Sequence, residues 1–131
     1  MSFSLADKQK LATLAPVLQQ KLLKLETIAF TQGYKIGIGY GYRTPQFQNN
    51  LYRIGRRGIK GEKIVTNLTG AQSKHSKNPS QAVDLVVYNR KGQITYNWKD
   101  FNFNLIGVWA RQVGLTWGGN WAIKDYLHLE I

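Results

Sequence analysis

The chain has no cysteine among its 131 residues, which removes disulfides, thiolate metal sites and a cysteine nucleophile together. Histidine is almost as scarce, with two in all, so any imidazole chemistry has to use His75 and His128. No apolar run approaches the ~18 residues that a membrane-spanning helix needs, and no membrane insertion is expected. The opening MSFSLADKQK lacks the basic, then apolar, then small-residue order of a secretory signal. The expectation is therefore synthesis as a cytoplasmic product, with release by some other agent if the substrate lies outside the membrane. Acidic residues are also few. Seven Asp and Glu stand against eighteen Lys and Arg, a net charge of +11, which draws a protein toward a polyanion. Nucleic acid, an anionic membrane face and the bacterial wall all qualify. The densest stretch carries Arg53, Arg56, Arg57, Lys60, Lys63, Lys74 and Lys77 against Glu62 alone, and it reads equally as a solvated loop.

What is present describes one globular domain spanning 1–131. The hydrophobic fraction of 43% and aromatic fraction of 12% are those of a chain that buries a core. Leu14, Leu18, Leu22, Leu25 and Ile28 recur at helical spacing, with Gly33 as the stop. In KIGIGYGYR, Ile36, Ile38, Tyr40 and Tyr42 alternate as in a half-buried strand, and Tyr40, Tyr42 and Tyr52 read as core aromatics. Thr44 followed by Pro45 is a helix start, with Phe47, Leu51 and Ile54 as the inward stripe. A glycine-rich basic loop follows over 55–70. QAVDLVVY (81–88) reads as a strand, 89–92 as a turn and 93–96 as its hairpin partner. A helix over 100–113 with Leu105, Trp109 and Val113 facing inward, and a closing strand in LHLEI, complete the pattern. Trp117, Trp121 and Tyr126 read as core, with a cleft lining as the other possibility. The fold class expected is α+β, a small, largely antiparallel sheet packed with helices.

Both histidines lie close in sequence to a carboxylate. His75 precedes Asp84, and His128 follows Asp125 and precedes Glu130. Zinc takes nitrogen and oxygen ligands in a tetrahedron, and catalytic sites use three protein ligands with one open position. Residue types and spacing alone leave open whether these are ligands or ordinary surface and core histidines. The aspartate inside the apolar run AVDLVV is harder to read as ordinary, since a buried carboxylate is costly unless paired or bound to metal.

The order of the pieces goes further. SKHSKNPSQAVDL, followed some forty residues later by DYLHLE, resembles the signature of the VanY-type zinc peptidases. These are D-alanyl-D-alanine carboxypeptidases and L-alanyl-D-glutamate endopeptidases, the latter including phage endolysins. GYRTPQFQNNLYRIGR and GEKIVTNLTGAQSKH resemble the family's arginine-bearing strand and the approach to its first ligand, and LTWGGNWAIKDYLHLE its closing stretch. The resemblance implies a fold like that of the Hedgehog domain and the DD-peptidases. It also implies zinc held by His75, Asp84 and His128, and Asp125 as the acid–base. Arg43 is implied as the support of the polarised carbonyl oxygen, and Ser73 as a substrate contact. Glu130, two residues beyond His128 on a strand, shares its face and is either a partner of that ligand or a salt-bridged sheet end. The loop between His75 and Asp84 is longer than in the family pattern, and Ser80 stands where that pattern has glycine.

The YRTPQFQNNLYRIGR and KIVTN segments resemble the endopeptidase branch. The expected function is that of a monomeric bacteriolytic endolysin of phage origin. It would cut the L-alanyl-D-glutamate bond in the peptidoglycan stem. Made in the host cytoplasm, it would reach the cell wall or periplasm through a pore formed by another protein. A D-alanyl-D-alanine carboxypeptidase is the alternative within the family. A basic nucleic-acid-binding module is the alternative outside it, and it leaves both His–Asp pairs unexplained, so nucleic acid is not the expected partner.

Overall fold

The structure, a computed structural model, describes residues 3–131. Four α-helices, α1 (Leu5–Leu11), α2 (Pro16–Thr31), α3 (Pro45–Arg53) and α4 (Asn104–Val113), accompany five strands. The strands are β1 (Ile36–Tyr40), β2 (Ala82–Tyr88), β3 (Ile94–Thr95), β4 (Thr116–Trp117) and β5 (His128–Glu130). They form one antiparallel sheet in the order β1-β2-β5-β4, with β3 also paired to β2. Among the described residues no helix is long and apolar enough to cross a membrane.

The alternation in β2 decides which face does what. Val83, Leu85 and Val87 are fully buried and point to the side packed by Leu18, Leu22 and Leu25 of α2 and by Ile106 and Trp109 of α4. Because side chains alternate along a strand, Asp84 points to the other face. Its direct cross-strand neighbour on β5 is His128, while Leu129 returns to the core beside Val83. One helix-packed face thus carries the stability, and the opposite face is free to hold polar groups. On the other side of β2, Asp84 is paired with Tyr40, at a register irregularity in β1 between Ile38 and Tyr40. Bulges of this kind re-aim side chains, and the chain beyond this one runs to Arg43. α1 covers the irregularity: Asp7 Oδ1 accepts from the Ile38 N–H at 2.9 Å, and Lys10 Nζ donates to the Ile38 carbonyl at 3.0 Å.

α2 and α4 end as the sequence predicts, each followed by a glycine in the left-handed region, Gly33 at φ 86° and Gly114 at φ 78°. Three expectations are corrected. α4 starts at Asn104, not at 100, because Asp100 is spent accepting from Thr95 Oγ at 2.7 Å and the segment before the helix buries Phe101 and Phe103 instead. In α3, capped as expected by the Thr44 hydroxyl accepting from Phe47 N–H, the inward residue is Gln48, 1% exposed, whereas Phe47 is 40% exposed. Tyr40 is no core residue either, at 48% exposed.

Candidate metal centre and its pocket

His75 lies on a short 3-10 turn, Lys74–Ser76, opened by Ser73, whose buried hydroxyl oxygen accepts from the His75 N–H at 3.3 Å. The turn is stitched down on both sides. Arg43 N–H donates to the His75 carbonyl at 2.9 Å and Gln81 N–H to that of Lys74 at 3.0 Å. The ring is oriented by its Nδ1, 2.9 Å from the Gly41 carbonyl oxygen. A carbonyl only accepts, so Nδ1 carries the proton and Nε2 presents a lone pair. Gly41 has to be glycine for this approach, since a Cβ there would lie 2.4 Å from Thr13 Oγ and 2.8 Å from the Lys10 carbonyl oxygen.

His128 is oriented the same way by a different partner. Its Nε2 lies 2.9 Å from Glu130 Oε1, which leaves Nδ1 facing inward. Glu130 is at once the partner of His128 and a salt-bridged strand end, because its other oxygen is 2.9 Å from Lys74 Nζ. Asp84 gives one oxygen to Arg43, and its buried Oδ1 faces the two imidazoles. The three inward atoms make a nearly equilateral triangle. His75 Nε2 is 3.3 Å from His128 Nδ1 and 3.4 Å from Asp84 Oδ1, and His128 Nδ1 is 3.3 Å from Asp84 Oδ1.

Two imidazole nitrogens and a carboxylate oxygen face one another here, an arrangement that a proton or a cation must hold together. The spacing fits a cation. In a zinc tetrahedron with bonds of about 2.0–2.1 Å, donor atoms stand about 3.3–3.4 Å apart. Among the described residues this is the one group of three His and carboxylate side chains that meets as a metal-ligand set. Each imidazole also has its other ring nitrogen on a carbonyl or a carboxylate, the support that ligating histidines use.

Charge is distributed unevenly between the two aspartates. Burial pushes the Asp84 carboxyl up, but hydrogen bonds from His128 and His75 and the charges of His75 and Arg43 outweigh it and hold the group far below the usual carboxylate range. For His128 burial disfavours the charged form, yet the bonds to Asp84 and Glu130 prevail and raise the metal-free ring to about 9. Asp125 moves the other way. Burial, then the negative charge of Asp84, push its carboxyl up, although the residue keeps accessible surface.

A cavity of about 240 Å³ opens beside the triangle. His75, His128, Ser73, Arg43 and Asp125 line it, together with Trp121, whose ring lies 4.7 Å from that of His128. Every residue singled out in the sequence therefore lies at this pocket or, for Asp84 and Glu130, directly behind it. Arg43 is engaged as it stands, with one Nη on Asp84, the other 3.2 Å from Gln48 Oε1, and the guanidinium 4.6 Å above the Tyr40 ring. Gln48 is not marked by the sequence, and Tyr40 reads there as core, although both line the pocket. Gln48 ties Arg43 to the basic lobe formed by residues 53–70 through the Leu68 carbonyl, 2.8 Å from its Nε2. Tyr40 sits on the pocket wall. A glutamine within an apolar stripe carries no sequence signal of its own, and Tyr40 alternates like a core residue.

Residues 66–131 match a peptidase M15 family model described as D-alanyl-D-alanine carboxypeptidase. Over 98% of its length the chain is 32% identical to the peptidoglycan L-alanyl-D-glutamate endopeptidase CwlK of Bacillus subtilis, of which it covers 79%. The fold is similar to that of the L-Ala D-Glu endopeptidase ChiX of Serratia marcescens, with a TM-score of 0.72 at 21% identity, covering 100% of this chain and 90% of that one.

Proposed function

Since this chain belongs to the M15 peptidase family, we propose that it is a zinc-dependent endopeptidase that hydrolyses the L-alanyl-D-glutamate bond of the peptidoglycan stem peptide. The observation that carries the metal dependence is the triangle of His75 Nε2, His128 Nδ1 and Asp84 Oδ1 with edges of 3.3–3.4 Å. The bond specificity rests on the likeness to CwlK over nearly the whole chain. His75, Asp84 and His128 would hold the ion, which when bound supplies a Lewis acid and makes water a usable nucleophile near neutral pH. Asp125 takes the proton of the attacking water and returns it to the leaving amine, a task suited to a carboxyl raised above its ordinary range. Arg43 holds Asp84 in register and brings positive charge to the wall beside which the carbonyl oxygen becomes an oxyanion. Ser73 fixes the His75 turn and faces the peptide from the same wall.

Digesting purified peptidoglycan and identifying the new termini tests this reading. New D-glutamate amino termini are expected. Release of free D-alanine alone would overturn the endopeptidase assignment in favour of the carboxypeptidase named by the family model. The bacteriolytic, endolysin role belongs to the same proposal, and its readout is loss of turbidity in a cell suspension with a permeabilised inner membrane.

A further inference from the structure

A second groove, of about 230 Å³, meets the first pocket at Asp125. Its walls are unusual for a protein surface. Tyr96 is 71% exposed and Trp98 46% exposed, and Tyr126 and Lys124 complete the rim. Trp98 is not a loose side chain. Its ring makes edge-to-face contacts with Tyr126 at 5.0 Å and Phe103 at 5.1 Å, so an aromatic surface is held in place and left in water. Fixed, exposed aromatic surface adjoining a reaction site marks a binding subsite more often than a packing defect. Tyr96 and Trp98 belong to neither the core cluster nor the proposed chemistry.

The chemistry of the substrate in the reading above says what should lie there. On the carboxyl side of the scissile bond the stem peptide is acidic, beginning with D-glutamate. On the amino side a single L-alanine, about 3.5 Å of chain, separates the bond from the lactyl ether of an N-acetylated sugar. The glycan strand must therefore cross the rim of the pocket. One wall of that pocket is the basic lobe, contributing Val65, Thr66 and Leu68. There Arg53, Lys60 and Lys63 are exposed while the lobe's one acid, Glu62, is occupied by Arg57. That wall suits the acidic side. The aromatic groove contains no lobe residue and shares only Asp125 with the pocket. Aromatic faces cover the C–H faces of pyranose rings while hydroxyl and acetamido groups stay wet.

Resting on the proposed activity, we infer that the Tyr96–Trp98–Tyr126 groove is a carbohydrate subsite that takes the N-acetylated disaccharide bearing the stem peptide. The test compares a disaccharide–tripeptide with the same tripeptide carrying an acetyl cap in place of the sugar. Wild-type protein should prefer the sugar-bearing substrate in kcat/KM. In Tyr96→Ala/Trp98→Ala that preference should shrink about tenfold through KM, the order expected when two aromatic faces lose their cover. Tyr96→Ala alone, at a side chain too exposed to unfold the chain, should shift the ratio the same way. An unchanged ratio in both variants would overturn the subsite. Titrating wild-type protein with the free disaccharide, followed by the indole N–H resonances, decides it without hydrolysis. The Trp98 signal should move saturably, and a titration that moves Trp121 instead, or no indole at all, refutes the assignment. If neither peptide is cut after L-alanine, the proposed activity fails while the titration still answers for the groove.

Discussion

Asp84 and Asp125 are chemically the same side chain, and their surroundings push them in opposite directions. Asp84 is held ionised by two imidazoles and Arg43, whereas Asp125 is raised by burial and by Asp84 itself. Environments that drive two carboxyls apart assign them different tasks. His75→Ala or Asp84→Ala should lose zinc and activity together, and full zinc occupancy with turnover in either variant would sink the ligand set. Asp125→Asn keeps the shape of the side chain but cannot cycle a proton. It should keep about one zinc per chain and its melting temperature while hydrolysis falls ~10²-fold or more. Near-normal cleavage with a lowered melting temperature would make Asp125 only a link in the turn, where its N–H donates to the Gly118 carbonyl at 2.9 Å. His128 adds a pH dependence. Its metal-free folded pKa of about 9 lies above the ordinary 6.5, so its bonds stabilise the metal-free chain fully below pH 6.5 and that stabilisation fades as pH rises through 9. A cation must expel that proton. Zinc binding at pH 7.5, followed calorimetrically in buffers of different ionisation enthalpy, should release close to one proton from this ring, and a binding heat independent of buffer contradicts it.

The role of Asp125 comes only from the family resemblance, whereas His75, Asp84 and His128 stand out in the sequence as candidates because histidine is rare and an aspartate interrupts an apolar strand. β2 was legible for the same reason, as an apolar run bounded by turn residues. α1 was not: seven residues with two lysines and an aspartate show no apolar stripe, and the helix is held by its Ser4–Asp7 capping box and by the bonds of Asp7 and Lys10 to the backbone of Ile38. β4 is two residues long, too short for any periodicity. Gly41 and Gln48 were invisible because their roles are contacts with segments distant in sequence. Gly41→Ala drives a methyl against Thr13 and the Lys10 carbonyl, displacing the carbonyl that orients His75. Stability should drop by about 1–3 kcal/mol and zinc affinity about 10–100-fold, as for other lost metal-ligand supports. A variant that melts lower but binds zinc normally would show that the carbonyl orients nothing.

Charge acts over the whole molecule. A net charge of +11 on 131 residues gives a field that no single contact explains, and the lobe beside the pocket concentrates it where Arg53, Lys60 and Lys63 are free of acidic partners nearby. If peptidoglycan is the substrate, this field has two separable effects. Attraction to an anionic wall raises the local concentration of enzyme, and it is screened over a Debye length of about 8 Å at physiological salt. The short-range chemistry at the His–Asp–His triangle is buried and feels salt much less. Raising salt should therefore lower the rate on intact walls several-fold, chiefly by weakening encounter, while cleavage of a short, uncharged stem-peptide analogue changes little. Lys60→Gln/Lys63→Gln, both exposed lobe side chains, should reduce the salt sensitivity on walls and leave the melting temperature unmoved. Equal salt dependence on wall and peptide would place the charge effect inside the pocket and remove wall attraction from the account.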